Sequence, residues 1–112
     1  MLFLVELDHV KSGITPTVEE SRTFMERIVF PTLAQAEQLV AEKKILAGGV
    51  VAGQVADKFI VDVSSPQEVD RIVTSIPFWR VAETKVTPLI AFADRRAHIK
   101  TLLNKSSGKP ED

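Results

Sequence analysis

The stretch from Phe59 to Phe78 leaves this chain few folds to choose from. Phe59, Val61 and Val63 alternate with Lys58, Ile60 and Asp62, the period-two pattern of a strand covered on one side. Ser65 then offers a hydroxyl to the orphan N–H groups of a helix. Pro66 sits where its missing N–H costs nothing, and Glu68 completes a capping box. Val69, Ile72, Val73 and Ile76 fall on one helical face, with Asp70, Arg71 and Thr74 outside it. Pro77 stops the helix and pushes Ile76 out of helical geometry. Val81 to Leu89 is extended again, so the spacing predicts strand, capped helix, strand.

The flanking chain supplies the rest. Met1 to Asp8 reads as a first strand, with Phe3, Val5 and Leu7 on one face and Leu2, Leu4, Glu6 and Asp8 on the other. His9 to Pro16 is a loop marked by Ser12-Gly13 and Pro16. Thr17 to Glu20 forms a second capping box. A helical pattern runs from there to about Lys43, its stripe drawn by Met25, Ile28, Val29, Leu33, Ala36, Leu39 and Val40. Pro31 predicts a kink or break near Phe30. Lys43 and Lys44 suit the negative end of that helix. Ile45 to Gln54 is a weak strand, in which Gly48, Gly49 and Gly53 predict a bulge or a close backbone approach. A turn near Val55-Ala56-Asp57 leads into the central strand. Asp94 is placed to cap a last helix with Ile99, Leu102 and Leu103 along its apolar edge. Residues 1–104 form one domain in this reading, and 105–112 a polar, disordered tail.

Two split β-α-β halves of this kind make an α+β, ferredoxin-like β-α-β-β-α-β domain with an extra C-terminal helix. The helices cover one face of the sheet. The other face carries Leu2, Leu4, Ile60 and Leu89 beside Glu6, Lys58, Asp62, Glu83 and Lys85. It is too apolar to sit comfortably in water and too charged for a sealed core. A second copy stacked sheet to sheet resolves that conflict, so a homodimer with a polar cleft between the sheets is expected; a monomer with a half-wet antiparallel sheet is the alternative.

Composition narrows the chemistry. The chain has 112 residues, no cysteine and a net charge of −1. Thiolate metal sites and disulfides are excluded, and nothing marks a nucleic-acid partner. The apolar run Met1 to Val5 is too short for a signal peptide or a membrane span, which points to a cytoplasmic protein with no membrane contact.

Met1-Leu2-Phe3 opening a strand, Asp62-Val63 ending another, the capped helix from Pro66 and Ile76-Pro77-Phe78 together resemble the muconolactone delta-isomerases. Ile45 to Phe78, with Ala47-Gly48-Gly49, is also similar to YCII-like domains. Both resemblances imply the dimeric α+β barrel. The first implies proton-transfer isomerisation of a small anionic lactone in aromatic-compound degradation, without metal or organic cofactor. The chain departs from the isomerases at Leu4, where they carry a histidine, and over Ile45 to Val51, where they carry Trp and Arg. No catalytic residue transfers position by position.

The candidates therefore come from the residues themselves. Shifting a double bond in an unsaturated lactone needs a base beside a carbonyl and a donor or cation to hold the dienolate. Glu6 and Glu83 are candidate bases on strands that pair. Lys58 and Lys85 are candidate cations. The same four residues also suit salt bridges that fix a dimer. His9, at the end of the first strand, is of a type suited to proton shuttling. Trp79 and Arg80 suit stacking on and pairing with an anionic ring, or packing of a rim. Two histidines and no cysteine leave no tight transition-metal site. A non-catalytic ligand-binding or assembly module on the same dimer stays open as an alternative, as does a cofactor-free monooxygenase or a haem-handling relative.

Overall fold

A computed structural model describes residues 1–106. Strand β1 (Leu2–His9) leads to helix α1 (Val18–Phe24), a π-helical turn (Met25–Val29) and helix α2 (Phe30–Ala41). Strands β2 (Ile45–Val50) and β3 (Ala56–Asp62) precede helix α3 (Pro66–Ser75) and a 3-10 turn (Pro77–Val81). Strand β4 (Ala82–Leu89) and helix α4 (Phe92–Ser106) follow. The strands form one four-stranded sheet in the order β2-β3-β1-β4, and every pairing is antiparallel. This is the ferredoxin-like topology that the alternation and the caps predict.

Register sets the two faces. Phe3, Val5 and Leu7 pair with Val61, Phe59 and Asp57 on β3. Phe3, Val5, Leu7, Phe59 and Val61 are buried together with Leu39, Ile45, Val63, Val69, Val73, Ile76 and Phe78. Each such side chain contributes roughly 1.5–3 kcal/mol through burial. The opposite face pairs Leu2 with Asp62 and Leu89, Leu4 with Ile60 and Thr87, and Glu6 with Lys58 and Lys85.

Several local details refine the sequence reading. Pro31 has no N–H to give the preceding turn. The helix absorbs this as a π turn, in which Phe30 N–H reaches back five residues to the Met25 carbonyl. Helix α2 stops at Ala41, short of Lys43, because Lys43 takes a left-handed φ of 62°. Lys43 N–H then bonds Val40 O (3.0 Å) and Lys44 N–H bonds Leu39 O (2.9 Å), which closes the end in Schellman geometry. Strand β2 ends at Val50 and not Gln54, since Val51 N–H turns to Ala56 O at 2.8 Å. The expected bulge falls between Ile45 and Ala47.

At α3, Ser65 Oγ accepts from Glu68 N–H at 3.1 Å. Glu68 reaches one residue further than a capping box requires, to Ser64 N–H (2.9 Å) and Ser64 Oγ–H (2.6 Å). Helix α4 starts at Phe92, before Asp94, and has no buried residue. It runs through Lys105 and Ser106, two residues that the sequence reading placed in the tail; residues 107–112 lie outside the described residues.

Candidate functional site

The helical stripe read from the sequence is wider than the core needs. Phe24, Ile28, Ala36 and Leu39 pack on the core. Met25 and Val40 instead remain 42% and 55% exposed. With Val29 and Leu33, they wall a run of three chambers on the helix-facing side of the sheet. The outer chamber, about 610 Å³, lies under the loop from Val10 to Pro16, with His9, Phe24, Met25 and Val55 in its wall. The middle one, about 190 Å³, is lined by Met25, Val29, Val55, Asp57 and Phe78 among others. The inner one, about 160 Å³, is lined by Leu7, Ala36, Val40, Asp57 and Phe59 among others. Met25 and Val55 border both outer and middle chambers. Thr32, Leu33, Val50 and Asp57 border both middle and inner ones. The result is one mostly apolar cleft between the sheet and α1–α2, a setting in which a few polar groups fix a small ligand.

His9 continues the helix-facing series of β1. Its N–H donates to Val55 O at 3.0 Å, tying the strand end to the turn before β3. The ring sits between two phenylalanines, its centroid 4.9 Å from Phe24 and 6.1 Å from Phe78. No imidazole nitrogen bonds another described residue. The ring is therefore oriented by packing while its nitrogens remain available.

Asp57 stands opposite Leu7 on β1 and Val50 on β2, so it faces the helices. Its carboxylate forms no hydrogen bond or ion pair with the described residues. Burial pushes its carboxyl above the usual range, since nothing nearby repays the lost hydration. Behind it, the Thr32 hydroxyl accepts from Phe78 N–H at 3.1 Å, joining α2 to the 3-10 turn. Sequence reasoning placed Asp57 in a turn and missed it. The available signal was parity: residues 57, 59 and 61 share a face.

The other candidates lie elsewhere. Glu6 pairs with Lys58 on one side and Lys85 on the other, and Lys58 Nζ is 3.6 Å from Glu6 Oε1. Glu83 stands opposite Asp8. All four occupy the sheet face away from the helices, and none lines the three chambers. Trp79 and Arg80 are exposed on the 3-10 turn and also lie outside those chambers. Of the seven sequence candidates, only His9 reaches the cleft. Among the described residues, no group of three or more His, Cys, Asp or Glu side chains is placed to hold a metal, and no helix is long and apolar enough to cross a membrane.

A four-stranded antiparallel sheet in this order, with helices on one face, is the subunit fold of the dimeric α+β barrels. A family model described as muconolactone delta-isomerase matches residues 1–95, and the chain belongs to that family. No curated protein matches it. Among solved structures, a muconolactone isomerase aligns with TM-score 0.65 and 18% identity over 81% of this chain and 90% of the other. The 5-chloro-2-hydroxyhydroquinone dehydrochlorinase TftG from Burkholderia phenoliruptrix AC1100, solved with 2,5-dihydroxybenzoquinone, aligns with TM-score 0.62 and 23% identity. That alignment covers 84% of this chain and 98% of TftG. Both likenesses concern the fold.

Proposed function

We propose that this protein is a cofactor-free isomerase that moves a proton within a small anionic unsaturated lactone, or a closely related product of aromatic-ring degradation. The observation that carries this is His9, held by two aromatic rings in the wall of the cleft with its nitrogens free. Membership of the isomerase family supports the reaction class. The cleft is mostly apolar, which favours a compact ring, and Lys11 in the outer wall is a cation suited to the substrate's carboxylate. A donor aimed at the lactone carbonyl gains strength in such a dry site as negative charge develops on the oxygen.

The same proposal takes the protein as a homodimer joined through its open sheet faces. Leu2, Leu4 and Ile60 are half-buried there already, with Leu89 exposed beside them. Glu6, Lys58, Lys85 and Glu83 would then serve the interface, and the Glu6–Lys58 pair favours that role over catalysis.

The test is incubation of the full-length protein with muconolactone in deuterated water, followed by proton NMR. The expected result is deuterium uptake on the ring, reduced by about 10²–10⁴-fold in His9→Gln. Absence of uptake above background at high protein concentration would falsify the isomerase reading. Binding without uptake would favour a non-catalytic ligand-binding module.

A further inference from the structure

We propose that Asp57 is the base that removes and returns the substrate's proton, while His9 holds the lactone carbonyl; this rests on the isomerase reading above. The placement carries the argument. Asp57 forms part of the wall shared by the two inner chambers, and His9 part of the wall of the outer one. Both face the helices. Leu7 pairs with Asp57 and Asp8 with Ala56, and His9 N–H bonds Val55 O, so His9 stands diagonal to Asp57 across the strand pair. Such diagonal neighbours lie about 7–8 Å apart at the backbone. That span fits a five-membered lactone lying with its carbonyl toward His9 and its γ-carbon toward Asp57.

The step balances without a co-reactant. The Asp57 carboxylate takes the γ-proton, and the electron pair of that C–H bond spreads into a dienolate. His9 donates a hydrogen bond to the carbonyl oxygen as its charge grows. Asp57, now protonated, exchanges that proton with water entering the open cleft and then gives a proton to the α-carbon; the double bond ends one position over, and the carboxylate is restored. A carboxyl with no partner in an apolar wall is a stronger base than one in water, which burial at Asp57 supplies. The other titratable groups of the cleft are Glu37 on α2 and Lys11 and Glu20 around the outer chamber.

The experiment compares the full-length wild type with Asp57→Asn and Asp57→Glu. Deuterium uptake into muconolactone should fall about 10³-fold in Asp57→Asn and recover in part in Asp57→Glu. Binding of the saturated γ-lactone carrying the same carboxymethyl group, read by chemical-shift changes, should persist in Asp57→Asn. Uptake in Asp57→Asn within threefold of wild type overturns the proposal. So does a loss of uptake matched by an equal loss of analogue binding. A wild type that takes up no deuterium sinks the isomerase reading alone. Asp57 is then judged by its carboxyl carbon resonance. A shift on adding the saturated lactone upholds a ligand-facing role, and an unmoved resonance removes it. Thermal melts guard against misfolding: at neutral pH, Asp57→Asn should melt no lower than wild type.

Discussion

At Gly48, one backbone torsion holds β2 against β3. Its φ of 120° lies where side chains are rarely tolerated, and a methyl group there would run into the Lys58 carbonyl and the Phe59 backbone. Gly48→Ala should therefore destabilise the protein by about 2–3 kcal/mol, measured by urea titration. Gly49 has open space where a Cβ would go, so Gly49→Ala is the matched control and should change stability far less. A Gly48→Ala protein as stable as wild type would show that the bulge can relax. The glycine cluster was legible as a close approach, but which glycine makes it was not. That choice depends on the register of β2 against β3, which no local pattern contains. Asp57 poses the same problem in another form. Its parity with Phe59 and Val61 was readable. That the wall beside it stays open was not, because the surplus width of the α2 stripe becomes a cavity only when the helix meets the sheet.

The N-terminal caps of α1 and α3 were the most legible elements because their signals are local. Thr17 and Glu20 form a complete capping box, with Thr17 N–H to Glu20 Oε1 at 3.0 Å and Glu20 N–H to Thr17 Oγ1 at 3.1 Å. The Thr17 N–H holds the Glu20 carboxyl below its usual range. At α3 the Ser64 hydroxyl, then its N–H, does the same for Glu68, with Lys44 3.6 Å away adding to the effect. A carboxyl depressed on folding contributes stability that is fully present above its unfolded value, about pH 4–5, and is lost as pH falls through the folded one. Asp57 has the opposite sign: its contribution is greatest at low pH and is lost as pH rises through its raised folded value. Glu68→Gln should thus melt lower than wild type at neutral pH, with the gap closing in acid. Asp57→Asn should melt higher at neutral pH, and that gap should close below about pH 4. Circular-dichroism melts across the pH range check both, and a gap of constant size would refute the assignment. Ser65→Ala should cost about 1 kcal/mol at any pH, since it removes only the hydroxyl acceptor.

The molecule as a whole is elongated, with a radius of gyration of 19.2 Å. A compact domain of this length has one near 13 Å. Helix α4 accounts for much of the difference, since none of its residues is buried and fifteen residues reach about 22 Å. One sheet face is covered by the helical layer, with the cleft between them. The other leaves a row of half-buried aliphatic residues, Leu2, Leu4 and Ile60, flanked by the Glu6–Lys58 pair. An isolated sheet tolerates such a face, so the subunit alone does not demand a partner. The argument for one is that aliphatic and paired charged residues alternate there, as they would if stacked sheets buried the first and matched the second. Leu4 sits in the middle of β1, opposite Ile60 on one side and Thr87 on the other, and points away from the core. Leu4→Lys should leave the fold intact by circular dichroism. It would place an unpaired charge in the proposed interface, at a cost of about 3–5 kcal/mol. By sedimentation velocity, that should weaken the dimer by more than about 100-fold. A wild-type chain that sediments as a monomer at micromolar concentration sinks the pairing, yet leaves the cleft of His9 and Asp57 standing, because every wall named for it comes from a single subunit.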